Sequence, residues 1–169
     1  EILLRGRVAH VAFAIDGQPY ILPTTYHYED ATVYIHGAPA SRMVKTLCAG
    51  TPVCVEVTLL DGLVASRDAK SHSANYRSAI VFGVAKPVTD LAAKRAVLER
   101  MTLRYFPGRT AGQDYLPARD GDLRAVELLA IAIDEQSAKA RFGGPKGAHD
   151  LDEDGPFTRY VLPLPGVDG

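Results

Sequence analysis

Short turn dipeptides constrain this chain more than any other feature. Asp16-Gly17 separates an apolar run (Val8, Ala9, Val11, Ala12, Phe13, Ile15, within a segment predicted as strand over 2–15) from a return strand predicted over 18–28. Gly accepts positive φ, so such a pair closes a tight hairpin. Glu29-Asp30 marks a second turn, ahead of the strand formers Ala31-Thr32-Val33-Tyr34-Ile35-His36. Asp61-Gly62 predicts a third, between strands over 53–60 and 62–67. Turns this short demand antiparallel pairing, because parallel neighbours need a crossover of about a dozen residues or more.

The remaining elements follow from periodicity. Gly37-Ala38-Pro39 breaks the strand, and Pro39 suits the first turn of a helix predicted over 39–48, where Met43, Val44 and Leu47 recur at helical spacing. A strand is predicted over 73–85 and an amphipathic helix over 90–105. That helix has Leu91, Val97, Leu98, Met101 and Tyr105 on its apolar side and Lys94, Arg95, Glu99 and Arg100 on its wet side. An apolar strand is predicted over 123–134, and the rest is rich in Gly, Pro and charge. About seven short antiparallel strands with two substantial helices usually close into a barrel or a sandwich, so the fold class is mainly β with a few α-helices. The expected organisation is one domain over 1–145 and an irregular C-terminal arm over 146–169.

Composition narrows the function classes. A net charge of −1 supplies no basic field for nucleic acid, so any anion site must be a local cluster of donors. No apolar run is long enough for a membrane helix, no signal-peptide pattern opens the sequence, and a cytoplasmic protein is the expectation. The start at Glu1, inside an apparently structured segment, leads us to expect a short leader before it. Cys48 and Cys54 are too few for a disulfide framework and are expected to be reduced and structural. Gly143-Gly144-Pro145-Lys146-Gly147 lacks the spacing of a phosphate-cradling Walker loop, and neither Gly-x-Gly-x-x-Gly nor Gly-x-Ser-x-Gly occurs. His10, His27, His36, His72 and His149 are scattered, without close zinc spacing, so no metal is expected. The acidic stretch Asp150-Leu151-Asp152-Glu153-Asp154 reads as a solvated run.

Three segments could carry chemistry. The sharpest is Ile35-His36-Gly37-Ala38-Pro39-Ala40-Ser41-Arg42-Met43-Val44-Lys45, a strand end running into a helix start. Helix N-termini offer free N–H groups to a phosphate, Ser41 adds a hydroxyl, and Arg42 and Lys45 share a helix face. An ordinary solvated helix face is the competing reading. Pro23-Thr24-Thr25-Tyr26-His27-Tyr28 places two threonines and two tyrosines in one strand, the mixture of walls and donors a ring cofactor needs; a strand of β-formers is the plain alternative. Asn75-Tyr76-Arg77-Ser78 is polar on both faces, which suits a ligand, a subunit interface or a solvated edge.

In these segments the chain resembles the pyridoxamine 5′-phosphate oxidase-like flavin-binding family, nearest its nitroimidazole-resistance branch. The matching pieces occur in family order: Val8 to Phe13 with Asp16-Gly17-Gln18-Pro19-Tyr20, Ile21 to Tyr26, Val33 to Ala38, Ser41-Arg42, Asn75 to Gly83, and Ser137-Ala138-Lys139-Ala140-Arg141. The resemblance implies an antiparallel, Greek-key split β-barrel and a homodimer with FMN at the subunit interface. It implies that Pro23, Thr24, Thr25 and Tyr26 line the flavin ring, and that His36, Gly37 and Ala38 lie along the ring or ribityl chain. Ser41 and Arg42 would hold the phosphate, with Lys45 in support. Tyr76, Arg77 and Ser78 would touch the flavin from a neighbouring strand, and Lys139 and Arg141 would arrive from the partner subunit. Two departures stand out: Met43 follows Arg42 where a basic residue is common, and the chain has no Trp, leaving Tyr160 near the position where that branch carries one. The expected activity is an FMN-dependent oxidoreductase reducing a small molecule, with His36 as its candidate proton-handling group. A non-catalytic flavin sensor or carrier, or the same barrel holding heme or a deazaflavin, are the alternatives.

Overall fold

The first turn dipeptide acts as expected. β1 (Ala9–Ile15) and β2 (Gln18–Thr24) form a hairpin with Ile15 opposite Gln18. Both loop residues have positive φ, Asp16 at 50° and Gly17 at 80°, as a two-residue turn matched to strand twist requires. β3 (Tyr26–Glu29) and β4 (Thr32–Gly37) repeat the device, with the loop at Asp30-Ala31. The computed structural model describes residues 1–153, 155 and 157–164. They fall into two compact units: a larger one of Arg7–Glu56 and Ile80–Gln136, and a smaller one of Glu1–Gly6, Val57–Ala79 and Ser137–Gly169.

In the larger unit β1 also pairs with β5 (Pro52–Ala65), Val11 opposite Val55. β4 pairs with β7 (Glu127–Ala132), and β7 with β6 (Ser73–Pro87). Every registered pair is antiparallel. Period-two alternation buries Ala9, Val11 and Phe13 on β1 and Val33 and Ile35 on β4. α2 (Arg42–Cys48) buries Met43, Val44 and Leu47, and α3 (Leu91–Tyr105) buries Val97 and Met101. Burying each such aliphatic side chain contributes about 1.5–3 kcal/mol.

Several expected boundaries move, each for a local reason. The return strand over 18–28 breaks at Thr25, where the next amide, that of Tyr26, donates to the Tyr105 hydroxyl (2.9 Å). α2 starts at Arg42, not Pro39, because the Ser41 hydroxyl caps it by accepting from the Val44 N–H (3.3 Å). Residues 123–134 are not one strand: α4 (Asp120–Ala125) precedes β7, its start fixed by the Asp122 carboxylate accepting from the Arg119 N–H (2.8 Å). Lys94, expected on the wet face of α3, is buried, and its ammonium donates to the Leu123 and Val126 carbonyls at 3.3 and 3.0 Å. A cation there satisfies the free carbonyls at the end of α4.

The smaller unit begins with α1 (Ile2–Arg5), where a strand was expected. β5 runs unbroken through Asp61-Gly62, so that pair is not a turn. Gly62 faces β9 (Tyr160–Pro163), and a Cβ there would lie 2.8 Å from the Leu162 carbonyl oxygen. Glycine serves close backbone approach at this position. β8 (Glu135–Arg141), whose residues from Ser137 belong here, pairs with β6. The stretch read as an irregular arm thus carries β9 and a 3₁₀ turn at Ala148–Leu151. Asp150 is not solvated: it is buried and accepts from the Ser66 hydroxyl (2.6 Å) and from the Arg67 and Gly147 N–H groups (2.8 and 2.7 Å). Asp154 of the same acidic stretch lies outside the described residues. Among those residues no helix is long and apolar enough to cross a membrane.

Candidate functional site

The larger unit holds the first two sequence segments, one running from β4 into α2 and the other at the junction of β2 and β3. The end of β4 packs on that helix closely enough that a Cβ on Gly37 would lie 3.0 Å from Val44 Cγ2 and 3.8 Å from Ser41 Oγ. Arg42 stands at the start of α2, its guanidinium carbon 4.9 Å from the centre of the Tyr20 ring on β2. Stacking of this kind holds a cation without neutralising it. Arg42 and Lys45 are both exposed, and among the described residues neither has a carboxylate partner. Ser41 is committed differently, its hydroxyl being the cap of α2. Pro23 and Thr24 close β2, with the Thr24 hydroxyl donating to the Thr25 carbonyl (3.2 Å). Tyr26 lies with its side chain in the core, under the Arg104 guanidinium at 4.8 Å, and burial pushes its hydroxyl up to about 12. Its ring is therefore a core element, not an open wall.

Thr25 and His36 meet over α3. They line a cavity of about 260 Å³ with Leu98, Met101, Thr102, Tyr105 and Phe106. The Nδ1 of His36 is buried, with no hydrogen-bond partner among the described residues. A buried polar atom without a partner is uncommon and marks a place where a ligand group fits. Burial also holds the imidazole below its ordinary pKa of 6.5, so it is neutral at pH 7 and one ring nitrogen carries a lone pair. Sequence reasoning missed the walls that α3 supplies; the one signal was the apolar stripe ending in Tyr105.

The other predicted residues lie in the smaller unit. Arg77 grips the Asp61 carboxylate through two bonds (2.9 and 2.6 Å) and reaches Glu1 at 3.1 Å, so its fork is committed to protein carboxylates. That arrangement holds Asp61 below the usual carboxylate range. Arg141 donates to Asn75 Oδ1 (2.7 Å), and Asn75 donates to the Gly143 carbonyl (3.1 Å). Lys139 stands 6.0 Å from the Tyr76 ring centre, and Ser78 is half-buried on β6. Cys48 is exposed, not packed as expected, and Cys54 is half-buried; burial raises both thiols.

The family model described as pyridoxamine 5′-phosphate oxidase matches residues 1–140. No curated protein matches the sequence. Among solved structures, an FAD and heme binding protein from Mycobacterium smegmatis is 35% identical, with a TM-score of 0.86 over 96% of this chain and 79% of that one. A flavocytochrome from Azotobacter vinelandii is 32% identical, with a TM-score of 0.83 over 97% of this chain and 75% of that one. A candidate 5-nitroimidazole antibiotic resistance protein from Bacteroides thetaiotaomicron shares the fold at 23% identity, with a TM-score of 0.68 over 81% of this chain and 78% of that one.

Proposed function

Because this chain belongs to the pyridoxamine 5′-phosphate oxidase family, a flavin-binding family of the split-barrel fold, we propose that it is a flavin-dependent oxidoreductase that binds FMN, works as a homodimer and reduces a small-molecule acceptor. The observation that carries this reading is Arg42, an exposed guanidinium stacked on Tyr20 and left without a carboxylate partner among the described residues. A phosphate accepts forked hydrogen bonds from such a group, and Lys45 adds a second charge on the same face of α2. Thr24, Thr25 and the end of β4 at His36, Gly37 and Ala38 would bracket the rest of the cofactor. The flavin, when bound, supplies the hydride and electron chemistry. His36 then contributes a neutral imidazole inside a largely apolar cavity, able to accept or donate one hydrogen bond. The dimer reading draws on Ile21, Leu22, Phe82 and Val84, large apolar side chains left exposed in the larger unit.

FMN and FAD share the phosphate that Arg42 would hold, so the test compares both with riboflavin, which lacks it. Arg42→Ala should weaken FMN and FAD by roughly tenfold to a hundredfold, the equivalent of ~1.5–3 kcal/mol for a charge-assisted bond, and leave riboflavin nearly unchanged. Equal losses for all three ligands place Arg42 away from the phosphate.

A second reading adds heme. Two relatives above 30% identity are described as an FAD and heme binding protein and as a flavocytochrome. The smaller unit contains an apolar cavity with a histidine in its lining, which suits a porphyrin.

A further inference from the structure

Five histidines could serve an iron, and their surroundings separate them. His10 faces Glu56 (3.3 Å), and His27 faces Glu29 (3.1 Å). His36 lines the cavity against α3 that the flavin reading already uses. His149 is paired with Asp68 (2.6 Å) beside a cavity lined by Arg67, Asp68 and Asp152, a charged surface ill-suited to a porphyrin face. His72 differs from all four. Its Nδ1 lies 3.1 Å from the Ala69 carbonyl oxygen, and a carbonyl only accepts, so Nδ1 carries the proton. The lone pair is then on Nε2, which has no partner among the described residues. This is the arrangement by which a backbone carbonyl fixes the tautomer and orientation of a metal-binding imidazole.

The place His72 occupies is apolar. It lines a cavity of about 300 Å³ with Leu63, Val64 and Ala65 of β5, Ser73, and Tyr160 and Leu162 of β9. The register explains the wall: Leu63 stands opposite Leu162 and Ala65 opposite Tyr160, so all four project from one face of the β5–β9 pair. Leu63, Tyr160 and Leu162 are each about half exposed, at 45%, 55% and 47%. A flat apolar wall open to solvent is an unusual surface to leave uncovered. The turn that carries His72 is braced, with the Ser71 N–H donating to the Asp68 carbonyl (2.9 Å). Lys70 and Arg159, both exposed, flank the lining in sequence and supply cations of the kind that pair with the propionates of a heme.

We propose that His72, through Nε2, is an axial iron ligand of a heme seated against this β5–β9 wall. The inference rests on the heme reading above and goes further by naming the ligand and the wall. The bond forms by donation of the Nε2 lone pair to iron; no electron is transferred in that step.

The test uses the purified chain with its flavin bound and hemin as the probe, read by the Soret and visible bands. The wild type should bind hemin with the spectrum of nitrogen-ligated iron. His72→Ala should bind roughly tenfold or more weakly and lose that spectrum. His72→Gly should recover it on adding imidazole, which shows that the missing group and not the fold is at fault. His149→Ala should behave as wild type, and retained flavin absorbance reports that each variant is folded. Wild-type affinity and spectrum in His72→Ala overturn the assignment while leaving the heme reading in place, as does loss confined to His149→Ala. A flavin-loaded wild type that takes up no hemin removes the heme reading and this assignment together, and leaves the flavin reading untouched.

Discussion

Tyr105→Phe removes a single oxygen and tests how the larger unit is pinned around Thr25. The Tyr105 hydroxyl accepts from the Tyr26 N–H (2.9 Å) and has one proton to give, shared between the carbonyls of Arg7 (2.7 Å) and Tyr26 (3.0 Å). It thus ties the last residue of α3 to the start of β3 and to the chain two residues before β1. Phenylalanine keeps the ring and loses one accepted and one donated bond. At about 0.5–1.5 kcal/mol net for each, the loss is about 1–3 kcal/mol. The Tyr26 side chain beside that amide is fully buried, so water cannot readily replace the hydroxyl, and the upper part of the range applies: about 2–3 kcal/mol. For a chain of this length each kcal/mol lowers Tm by roughly 2–4 °C, so Tm should fall by roughly 4–12 °C. Urea unfolding followed by circular dichroism measures the free energy directly, with Tyr28→Phe as the control that should stay within about 0.5 kcal/mol. A Tyr105→Phe variant as stable as that control refutes the claim that this hydroxyl sets the break between β2 and β3.

Three further outcomes follow from the same geometry. Gly83→Ala should destabilise the protein by about 1–3 kcal/mol in the same assay, because a Cβ there would collide with the Ala132 carbonyl oxygen and lie 3.1 Å from Ile131 Cγ2; an unchanged midpoint would mean the strands can part without cost. His36, held below 6.5 by burial, stays neutral in the fold at a pH where the unfolded chain takes up a proton, so stability should fall as pH drops through about 6.5. His36→Gln should flatten that fall, and parallel curves for the two proteins between about pH 7 and 5 would place the effect elsewhere. Cys48 and Cys54 have raised thiol pKa values, so both should alkylate slowly at pH 7, and serine at both positions should leave flavin reduction intact; a folded, flavin-loaded double variant that no longer reduces its flavin would reveal a redox role.

The sequence made the first hairpin legible because Asp16-Gly17 satisfies a backbone requirement that few residue pairs meet. The same dipeptide logic misread Asp61-Gly62, since a glycine needed for close approach of another strand looks identical in sequence to a glycine needed for positive φ. Lys94 was misplaced for a related reason: its helical position reads as solvated until the carbonyls at the end of α4 are brought to it. Of the candidate site, Arg42, Lys45 and His36 were legible from residue type and spacing. The role of Tyr20 beneath Arg42, and the cavity that α3 builds over His36, depend on contacts between residues far apart in sequence. Arg77 was expected to touch the flavin, but its guanidinium is held by Asp61 and Glu1, partners distant along the chain that the local sequence does not reveal.

The central claim is that this chain holds a phosphorylated flavin in its larger unit. Its most direct test is an equilibrium titration of the purified wild-type protein with FMN, FAD and riboflavin, followed by quenching of flavin fluorescence. Saturable binding of FMN or FAD at one flavin per chain, with riboflavin markedly weaker, is the predicted result. An absence of saturable binding by any of the three, in protein shown to be folded by circular dichroism, would contradict it.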